Sequence, residues 1–423
     1  MIRMENNMKR YDIAIMGGGF GGTCAAIAAA RNGARVLLID KSNCLGGAAM
    51  NCLVNPFMDF STKLNGEDFP LTRGLIEEIM ERLDKMGAMC GLHFQEEELK
   101  YLLNEMTLEA GVELLFHAYL SGVEREGNRI NALKLSTVGG EVRVEADYFI
   151  DATGDAQLTY LADFETRLGR EPDNLCQPMT LCFRLGNVDV ERFNKSRPAL
   201  QEAYKAAQVT GEITNPRENI LIFRMPVKNV LHFNTTRVVK KNPTDAFDVT
   251  EAEIIARRQV FEIYEFMKKH ADGLEDSFLM ATASEIGVRE SRMIVGEYVL
   301  TEQDCRDLKR FDDAIAACNY DIDIHNPEGT GTSHYYFAPG DYYTIPYRSL
   351  IPKGAENLLV AGRCISSDHG AQASYRVMTP VACIGQAAGI AASLAVKAGV
   401  EPKNIDVKEL QRLLVENGAF IGI

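Results

Sequence analysis

A glycine-rich turn between a buried strand and an Ala-rich helix constrains the fold of this chain more than any other feature. In YDIAIMGGGFGG, Gly17, Gly19 and Gly22 form a G-x-G-x-x-G pattern. Residues 11–16 before it are predicted to form a buried strand, and residues 23–32 after it a helix whose small side chains permit close packing on a sheet. Such a turn lets the backbone approach a pyrophosphate, whose charge the helix N-terminus stabilises.

An acidic residue follows at the spacing that a dinucleotide site requires. Residues 34–39 read as a second strand, and Asp40 ends it where an acceptor for a ribose hydroxyl is expected. The strand, the helix, the second strand and the acid follow one another at the expected spacing, so the pattern predicts an adenine dinucleotide site. This site suits NAD and FAD equally. The alternative is a glycine-rich turn that serves only helix–sheet packing.

Composition sets limits on the partners. A chain of 423 residues, 46% hydrophobic and 25% charged, is typical of a globular protein with two or three domains. Its net charge of -14 argues against a nucleic-acid or anionic-membrane partner. The ten cysteines occur singly, without a C-x-x-C pair, which predicts neither a metal site nor a redox disulfide and indicates a reducing compartment. Cys44 and Cys52 flank the predicted cofactor loop, where a reactive thiol or a flavin attachment is an alternative to simple burial.

The N-terminal segment MIRMENNMKR is polar, and no signal-sequence pattern follows it. The longest apolar stretch, residues 381–396, is interrupted by Gln386 and by glycines, which favours a buried helix over a membrane span. We therefore expect a soluble, cytoplasmic protein.

The pattern along the chain predicts a discontinuous cofactor domain. Helices are expected at 75–86 and 96–110, a strand at 112–118, a β-meander of segments 120–125, 129–137 and 141–146, and a separate strand at 147–151. Residues 160–335 change character, with a hairpin-like pair at 219–225 and 229–234 and an amphipathic helix at 251–270. A buried-strand pattern returns after residue 342. The predicted parts are a first cofactor-domain part at 1–160, an inserted α+β substrate domain at 161–340 and a C-terminal cofactor-domain part at 341–423.

This order of elements resembles the FAD-binding domain of the glutathione-reductase superfamily, and within it the group related to fumarate reductase flavoprotein subunits. The segments that carry the resemblance are GGGFGG at 17–22, DK at 40–41, LGG at 45–47, DATGD at 151–155, GVRESRMIVGEYVLT at 287–301, YTIPYRSLIP at 343–352 and the stretch 357–392, which begins NLLVAGRC. The resemblance implies an α/β fold, with a Rossmann-like FAD-binding domain and an inserted α+β substrate domain, and the activity of an FAD-dependent oxidoreductase.

The resemblance also implies which residues contact FAD. They belong to the glycine turn, the acid after the second strand, the Gly46-Gly47 loop, the strand after Gly111 near the adenine, the DATGD strand end and the C-terminal strand–helix unit. The full set is Gly17, Gly19, Phe20, Gly21, Gly22, Asp40, Lys41, Gly46, Gly47, Ala48, Tyr119, Ala152, Thr153, Gly154, Asp155, Gly362, Arg363, Met378 and Thr379. The residues themselves add that Thr379 before Pro380 suits an N-cap, so a helix is expected to start there.

Two groups of residues are candidates for catalysis. His369 and Arg376 lie between the last predicted strand and the C-terminal helix. His369 could act as an acid or base near neutral pH, and Arg376 could bind a carboxylate or enolate-like oxygen or donate a proton. The alternatives are a structural hydrogen bond for His369 and a salt bridge or a flavin-phosphate contact for Arg376.

The second group contains His334, Tyr347 and Arg348, with several tyrosines close in sequence. Aromatic rings with polar tips suit a pocket wall for a ring-shaped or sugar-like substrate. They suit an interdomain interface equally well, and the sequence leaves both open.

The sequence lacks a second G-x-G-x-x-G unit between residues 160 and 340. Electrons must then come from the substrate itself, from a diffusible nicotinamide or from an electron-transfer protein. We predict an FAD-dependent oxidoreductase that transfers hydride between flavin N5 and a small, carboxylate- or sugar-like substrate. The alternatives are an FAD-containing isomerase or lyase without net redox, and a non-catalytic binding protein with the flavin fold. The sequence gives no indication of the oligomeric state.

Overall fold

The computed structural model describes residues 10–58 and 60–423. The first nine residues, on which part of the signal-sequence prediction rests, lie outside the described residues. The β-strands are β1 (Tyr11–Met16), β2 (Val36–Ile39), β3 (Ser61–Leu64), β4 (Glu67–Pro70), β5 (Met89–Cys90), β6 (His93–Phe94), β7 (Glu113–Leu115), β8 (Tyr119–Glu126), β9 (Arg129–Thr137), β10 (Gly140–Asp151), β11 (Thr166–Leu168), β12 (Phe183–Gly186), β13 (Ile222–Arg224), β14 (Leu231–Phe233), β15 (Phe278–Thr282), β16 (Arg292–Ile294), β17 (Ala314–Cys318), β18 (Ile322–His325), β19 (Thr332–Tyr335), β20 (Tyr343–Pro346) and β21 (Leu358–Val360).

The α-helices are α1 (Phe20–Arg31), α2 (Ala48–Asn51), α3 (Leu75–Lys85), α4 (Glu96–Glu109), α5 (Gln157–Leu161), α6 (Val190–Thr210), α7 (Ala246–His270), α8 (Glu302–Arg306), α9 (His369–Tyr375), α10 (Met378–Ala398) and α11 (Val407–Glu416). Two short 3-10 helices cover Tyr347–Leu350 and Pro402–Asn404.

A parallel sheet carries the glycine turn. Strands β7, β2, β1, β10 and β21 lie side by side in that order and run parallel. Parallel strands need crossover connections, and α1 supplies the one between β1 and β2. The predicted α/β fold with a Rossmann-like sheet is confirmed.

Strand β10 corrects one sequence prediction. The segments expected at 141–146 and 147–151 form one continuous strand of 12 residues. Its first half pairs antiparallel with β9, and its second half pairs parallel with β1 and β21. The meander and the parallel sheet are therefore joined through a shared strand, so no turn interrupts the chain at Ala146.

The two faces of the sheet pack against different layers. Side chains alternate along a strand, so Ile13 and Ile15 join the core that contains α1 and α10, whereas Ala14 and Met16 join the core that contains the meander. Helix α10 is long and apolar enough, by length and composition alone, to cross a membrane, but 72% of its most apolar window is buried inside the protein. This agrees with the buried helix predicted for residues 381–396.

A second core lies apart from the sheet. It is built from residues between Met179 and Ile286, including the antiparallel sheet β13-β14-β12-β15 and helices α6 and α7. The hairpin predicted at 219–234 is present, with Ile222 opposite Phe233. Buried residues from Ile294 to Ile351 instead pack with the first core. The predicted domain boundaries at residues 160 and 340 stay a prediction.

Candidate functional site

The glycine turn is packed too tightly for larger residues at two of its positions. A Cβ on Gly22 would lie 1.7 Å from the Gly17 carbonyl oxygen, and one on Gly17, whose φ is +106°, would lie 2.3 Å from Ala152 O. Gly19 differs, because the nearest atom to its Cβ position is the Gly47 Cα at 3.9 Å. Gly19 is also the N-cap of α1, and no side chain caps that helix end. This end of α1 therefore has the uncapped backbone amides that favour an anion.

Asp40 holds this turn in shape. It follows β2 and is only 8% exposed. One carboxylate oxygen accepts the Gly18 amide at 2.5 Å, and the other accepts the Ser42 amide at 2.7 Å. Both carboxylate oxygens of Asp40 are thus held by backbone amides. This fixes the edge of the cleft described next.

A cleft open on one side runs over the turn. Its volume of about 360 Å³ lies at the lower end of the roughly 300–1,000 Å³ of most small-ligand pockets. The predicted site residues that line it are Gly17, Gly19, Phe20, Gly21, Asp40, Lys41, Gly46, Gly47, Ala48, Ala152, Thr153, Gly154, Asp155, Gly362, Arg363, Arg376 and Met378. The structure thus gathers five separate sequence segments around one space.

Several predicted residues are not among those that line the cleft. Gly22 lies behind the turn, and Tyr119 is 52% exposed at the start of β8. The helix expected to begin after an N-cap at Thr379 instead begins at Met378, with Val377 as N-cap. Thr379 is therefore inside the first turn, where its Oγ1 is buried and has no hydrogen-bond partner among the described residues.

The second candidate group is dispersed. Tyr347 is buried and its hydroxyl donates to Pro402 O at 2.8 Å, while Arg348 pairs with Asp313 at 2.9 Å beside a different surface depression. His334 lies on β19 and contacts Asp321 at 2.7 Å. None of the three is among the residues that line the cleft. Their catalytic role stays a prediction, and the geometry gives it no contact with the cleft.

His369 forms a buried pair rather than part of the cleft wall. It begins α9, and its Nδ1 lies 2.7 Å from Glu290 Oε1. Glu290 is fully buried, and its other oxygen accepts the Gln177 amide at 2.9 Å. The pair ties α9 to the segment before β16, which is the structural alternative considered for His369.

Arg363 supports the DATGD strand end. Its Nη2 lies 2.6 Å from Asp155 Oδ1, which also accepts the Ser291 hydroxyl. Gly154 has a φ of +78°, a backbone conformation that favours glycine. The Arg363 Nε is buried and has no hydrogen-bond partner in the described part of the chain. This leaves a cationic donor at the cleft wall.

Arg376 lies at one end of the cleft and belongs to a cluster of four arginines. Its Nη2 is 3.5 Å from Asp323 Oδ2, and its buried Nε has no partner among the residues described. The other three arginines come from distant segments; they are Arg217, Arg237 and Arg289. This cluster is a feature that the sequence analysis missed.

Ion pairing within the arginine cluster is sparse. Asp323 pairs with Arg376, and Glu218 is shared by Arg217 and Arg237. Arg289 has no ion pair in residues 10–58 and 60–423; its Nη1 donates instead to Pro178 O and the Thr180 hydroxyl. Burial, followed by repulsion from Arg376 and Arg217, lowers the pKa of Arg289 to about 9. Burial alone would raise the pKa of Asp323, but the hydrogen bond with His325, followed by the charges of Arg376 and Arg289, lowers it well below its usual range.

The far wall of the cleft was also missed. It comes from the second core and consists of Pro243, Val249, Glu253, Glu285, Ile286 and Val288. Lys41 and Glu285 form a salt bridge of 3.0 Å between the two walls. No motif marks these positions, because they meet the glycine turn only after the chain has folded.

The cysteines beside the cofactor loop have the character of buried thiols. Cys52 lines the cleft, and its thiol donates to Ile286 O at 3.6 Å. Burial raises its pKa to about 12, and burial also raises the pKa of Cys44. A raised thiol pKa disfavours the nucleophilic thiolate. Groups of three or more His, Cys, Asp or Glu side chains that could hold a metal ion do not occur among the described residues.

Comparison with known proteins identifies the family. Residues 12–414 match the family described as FAD dependent oxidoreductase. The chain belongs to this family. It is therefore an FAD-dependent oxidoreductase, and the dinucleotide left open by the glycine turn is FAD. The curated proteins contain no match.

Solved structures that are similar to this chain have low sequence identity to it. One is a geranylgeranyl bacteriochlorophyll reductase-like protein from Thermoplasma acidophilum, at 13% identity and a TM-score of 0.47, covering 97% of this chain and 85% of that chain. Another is p-nitrophenol 4-monooxygenase PnpA from Pseudomonas putida, at 11% identity and a TM-score of 0.48, covering 97% and 87%. Identities this low carry nothing about the substrate of this oxidoreductase.

The cleft of this oxidoreductase fits FAD in its own geometry. Gly17 and Gly22 allow the tight turn, and no side chain caps the end of α1 at Gly19. Arg363 Nε and Thr379 Oγ1 are buried polar atoms without partners among the described residues. Buried polar groups are normally paired, so these two atoms favour a polar ligand nearby.

Proposed function

We propose that this oxidoreductase transfers hydride between flavin N5 and a small organic carboxylate, and that Arg376 binds the carboxylate. The observation that carries the proposal is the arginine cluster, in which four arginines share two carboxylate partners in the described part of the chain. A buried cation is costly unless it is paired, so an anionic substrate would supply the missing negative charge. A sugar-like substrate would leave the positive charge of the arginine cluster uncompensated.

The side chains have separate tasks in this proposal. Arg376 reaches both the cleft and the cluster, and its planar guanidinium can hold a carboxylate with two hydrogen bonds. Asp323 orients Arg376, and Arg289 adds positive potential while Pro178 O and Thr180 hold it in place. FAD, when bound, supplies the acceptor or donor of hydride. We further propose membership of the group related to fumarate reductase flavoprotein subunits, which rests on the sequence resemblance.

The source of electrons belongs to the same proposal. A second dinucleotide unit is absent from the sequence between residues 160 and 340. We propose that electrons come from the substrate, from a diffusible nicotinamide or from an electron-transfer protein. A net charge of -14 and the scattered single cysteines favour a cytoplasmic location without a nucleic-acid partner.

The test is anaerobic reduction of the FAD-loaded protein by matched pairs of compounds, each a carboxylic acid and its uncharged primary amide. We expect only the carboxylates to bleach the flavin, or to reoxidise chemically reduced flavin. Arg376→Met should lower this rate by at least about thirtyfold, because removing one partner of a buried, hydrogen-bonded charge pair costs roughly 2–5 kcal/mol. Arg376→Lys should recover part of the rate.

The control is Arg412→Met, which removes an exposed arginine of α11. All variants are compared at equal flavin content, measured from the visible absorbance. Equal turnover of acids and amides, or an Arg376→Met variant as fast as Arg412→Met, would contradict the proposal. Product identification then separates net redox from an isomerase or lyase.

A further inference from the structure

Helix α7 presents a stripe of large apolar side chains to solvent. Phe247 is 88% exposed, Ile254 46% and Phe261 52%. They are spaced seven residues apart on a helix of 25 residues, and positions seven apart differ by only ~20° around the helix axis. The three side chains therefore form one line, on the face opposite the buried Ala256 and Val260. Apolar residues at heptad spacing are the pattern of helices that pair along their length.

Charged residues flank this stripe in a self-complementary order. Glu251 and Arg258 are both exposed and lie on the same side of the line through Ile254. If two copies of α7 pack antiparallel with Ile254 near the two-fold axis, Glu251 of each copy lies beside Arg258 of the other. In a parallel pair, Glu251 of one copy and Arg258 of the other would lie on opposite sides of the interface and could not pair. Glu251 also contacts Lys241 at 2.7 Å, whereas Arg258 has no ion pair in the described ranges.

We infer that a second copy of this chain covers the stripe, and that α7 pairs antiparallel across a two-fold axis at Ile254. Two-fold symmetric pairing requires a self-complementary patch, and this stripe meets the requirement in both shape and charge. Phe247 of one copy then packs near Phe261 of the other. A groove lined by Ile254, Arg257, Arg258 and Phe261 receives the partner helix.

The pairing has a consequence for the cleft. The other side of α7 supplies Val249 and Glu253 to the cleft wall. Glu253 also accepts the Ile286 amide at 2.6 Å, so α7 is tied to a second wall segment. Packing against a second helix restricts the motion of α7. The dimer therefore makes the cleft wall beside the ligand more rigid.

The experiment is sedimentation velocity of the full-length, FAD-loaded protein over a range of concentrations. We expect the wild type to approach twice the chain mass of 46.9 kDa as concentration rises. Ile254→Asp places two negative charges on the axis and should give the single-chain mass. Glu251→Arg and Arg258→Glu should each weaken the dimer, because each creates like-charge contacts.

The double variant Glu251→Arg with Arg258→Glu decides the geometry, because it restores opposite charges across the axis and should recover the dimer. Val138→Asp, a substitution of a fully exposed apolar residue in the β9–β10 turn, is the matched control and should leave the dimer intact. Flavin absorbance and thermal melting establish that every variant is folded. A wild type that stays at 46.9 kDa, a dimer that survives Ile254→Asp, or a double variant no better than the single ones would overturn the inference.

Discussion

His232 occupies the middle of β14 with no solvent exposure. Neither ring nitrogen has a hydrogen-bond partner among the described residues. Burial, with repulsion from Arg184 and His93, lowers its pKa from 6.5 to about 3. The folded protein thus keeps this ring neutral over a pH range in which the unfolded chain binds a proton.

This difference predicts acid sensitivity with a defined onset. Above pH 6.5 neither the folded nor the unfolded chain binds this proton, so His232 does not make the free energy of unfolding depend on pH. Below pH 6.5 only the unfolded chain binds it, so the free energy of unfolding should fall by about 1.4 kcal/mol per pH unit from this residue, down to about pH 3. His232→Gln should lose that part of the slope, as measured by urea unfolding at a series of pH values. Equal slopes in variant and wild type below pH 6.5 would contradict the prediction. His325, whose pKa is also lowered by burial, keeps its own contribution in both proteins.

Single residues also show which parts of the site a sequence can reveal. Gly17, Gly22 and Asp40 act through local backbone geometry, and local geometry leaves a fixed spacing in the sequence. Arg217, Arg237, Arg289 and Arg376 act together only because four distant segments meet around Asp323. No residue spacing in the sequence indicates that these segments come together in the fold. The sequence therefore predicted many of the residues that line the cleft, Arg376 included, whereas the other three arginines of the cluster were found only from the fold.

Among the elements, α1 and α10 depend on a close contact between their backbones. A Cβ on Gly385 would lie 2.1 Å from Gly21 O, and one on Gly389 would lie 2.1 Å from Ala25 O. The two glycines are four residues apart, so they lie on the same face of α10. They let it approach the first turns of α1, whose N-terminus forms the glycine turn.

Gly385→Ala and Gly389→Ala should therefore reverse the usual effect of this substitution. In an exposed helix, Gly→Ala stabilises by up to about 1 kcal/mol. Here the added methyl group forces the helices apart, and we expect a loss of about 1–3 kcal/mol in the free energy of unfolding. Gly385→Ala should also weaken FAD retention, because Gly21 lines the cleft. Gly139→Ala, whose Cβ meets nothing closer than Thr137 Oγ1 at 3.7 Å, is the control for urea unfolding. A gain in stability at either helical site would refute the prediction.

Element boundaries were predictable where periodicity was clear. The bounds of β1, α3, α4 and β9 lie within one residue of those expected. Strand β10 was divided at Ala146 in the prediction because its two halves have different partners and therefore different side-chain patterns. The start of α10 was displaced by two residues, since Val377 rather than Thr379 is the N-cap.

At the scale of the whole molecule, the cleft is the place where the two cores meet. The glycine turn and Arg363 belong to the part around the parallel sheet, whereas Val249, Glu253 and Ile286 belong to the second core. Direct polar ties between the walls include the Lys41–Glu285 salt bridge and the Glu285 amide, which donates to Asn51 O at 2.9 Å. An exposed salt bridge contributes roughly 0–1 kcal/mol, so a ligand that touches both walls adds substantially to their attachment.

This arrangement predicts where FAD changes the dynamics of the protein. Hydrogen–deuterium exchange of the FAD-loaded and FAD-free protein should differ at residues 17–22 and 40–48. It should also differ at 246–253 and 284–288, which lie on the opposite wall. Strands β8 and β9 should change little, because the residues that line the cleft do not include theirs. Binding that protects only the glycine turn would show that the second core does not contact the cofactor. Protection that extends through α7 toward Ile254 would connect FAD binding to the face on which we infer that the second copy packs.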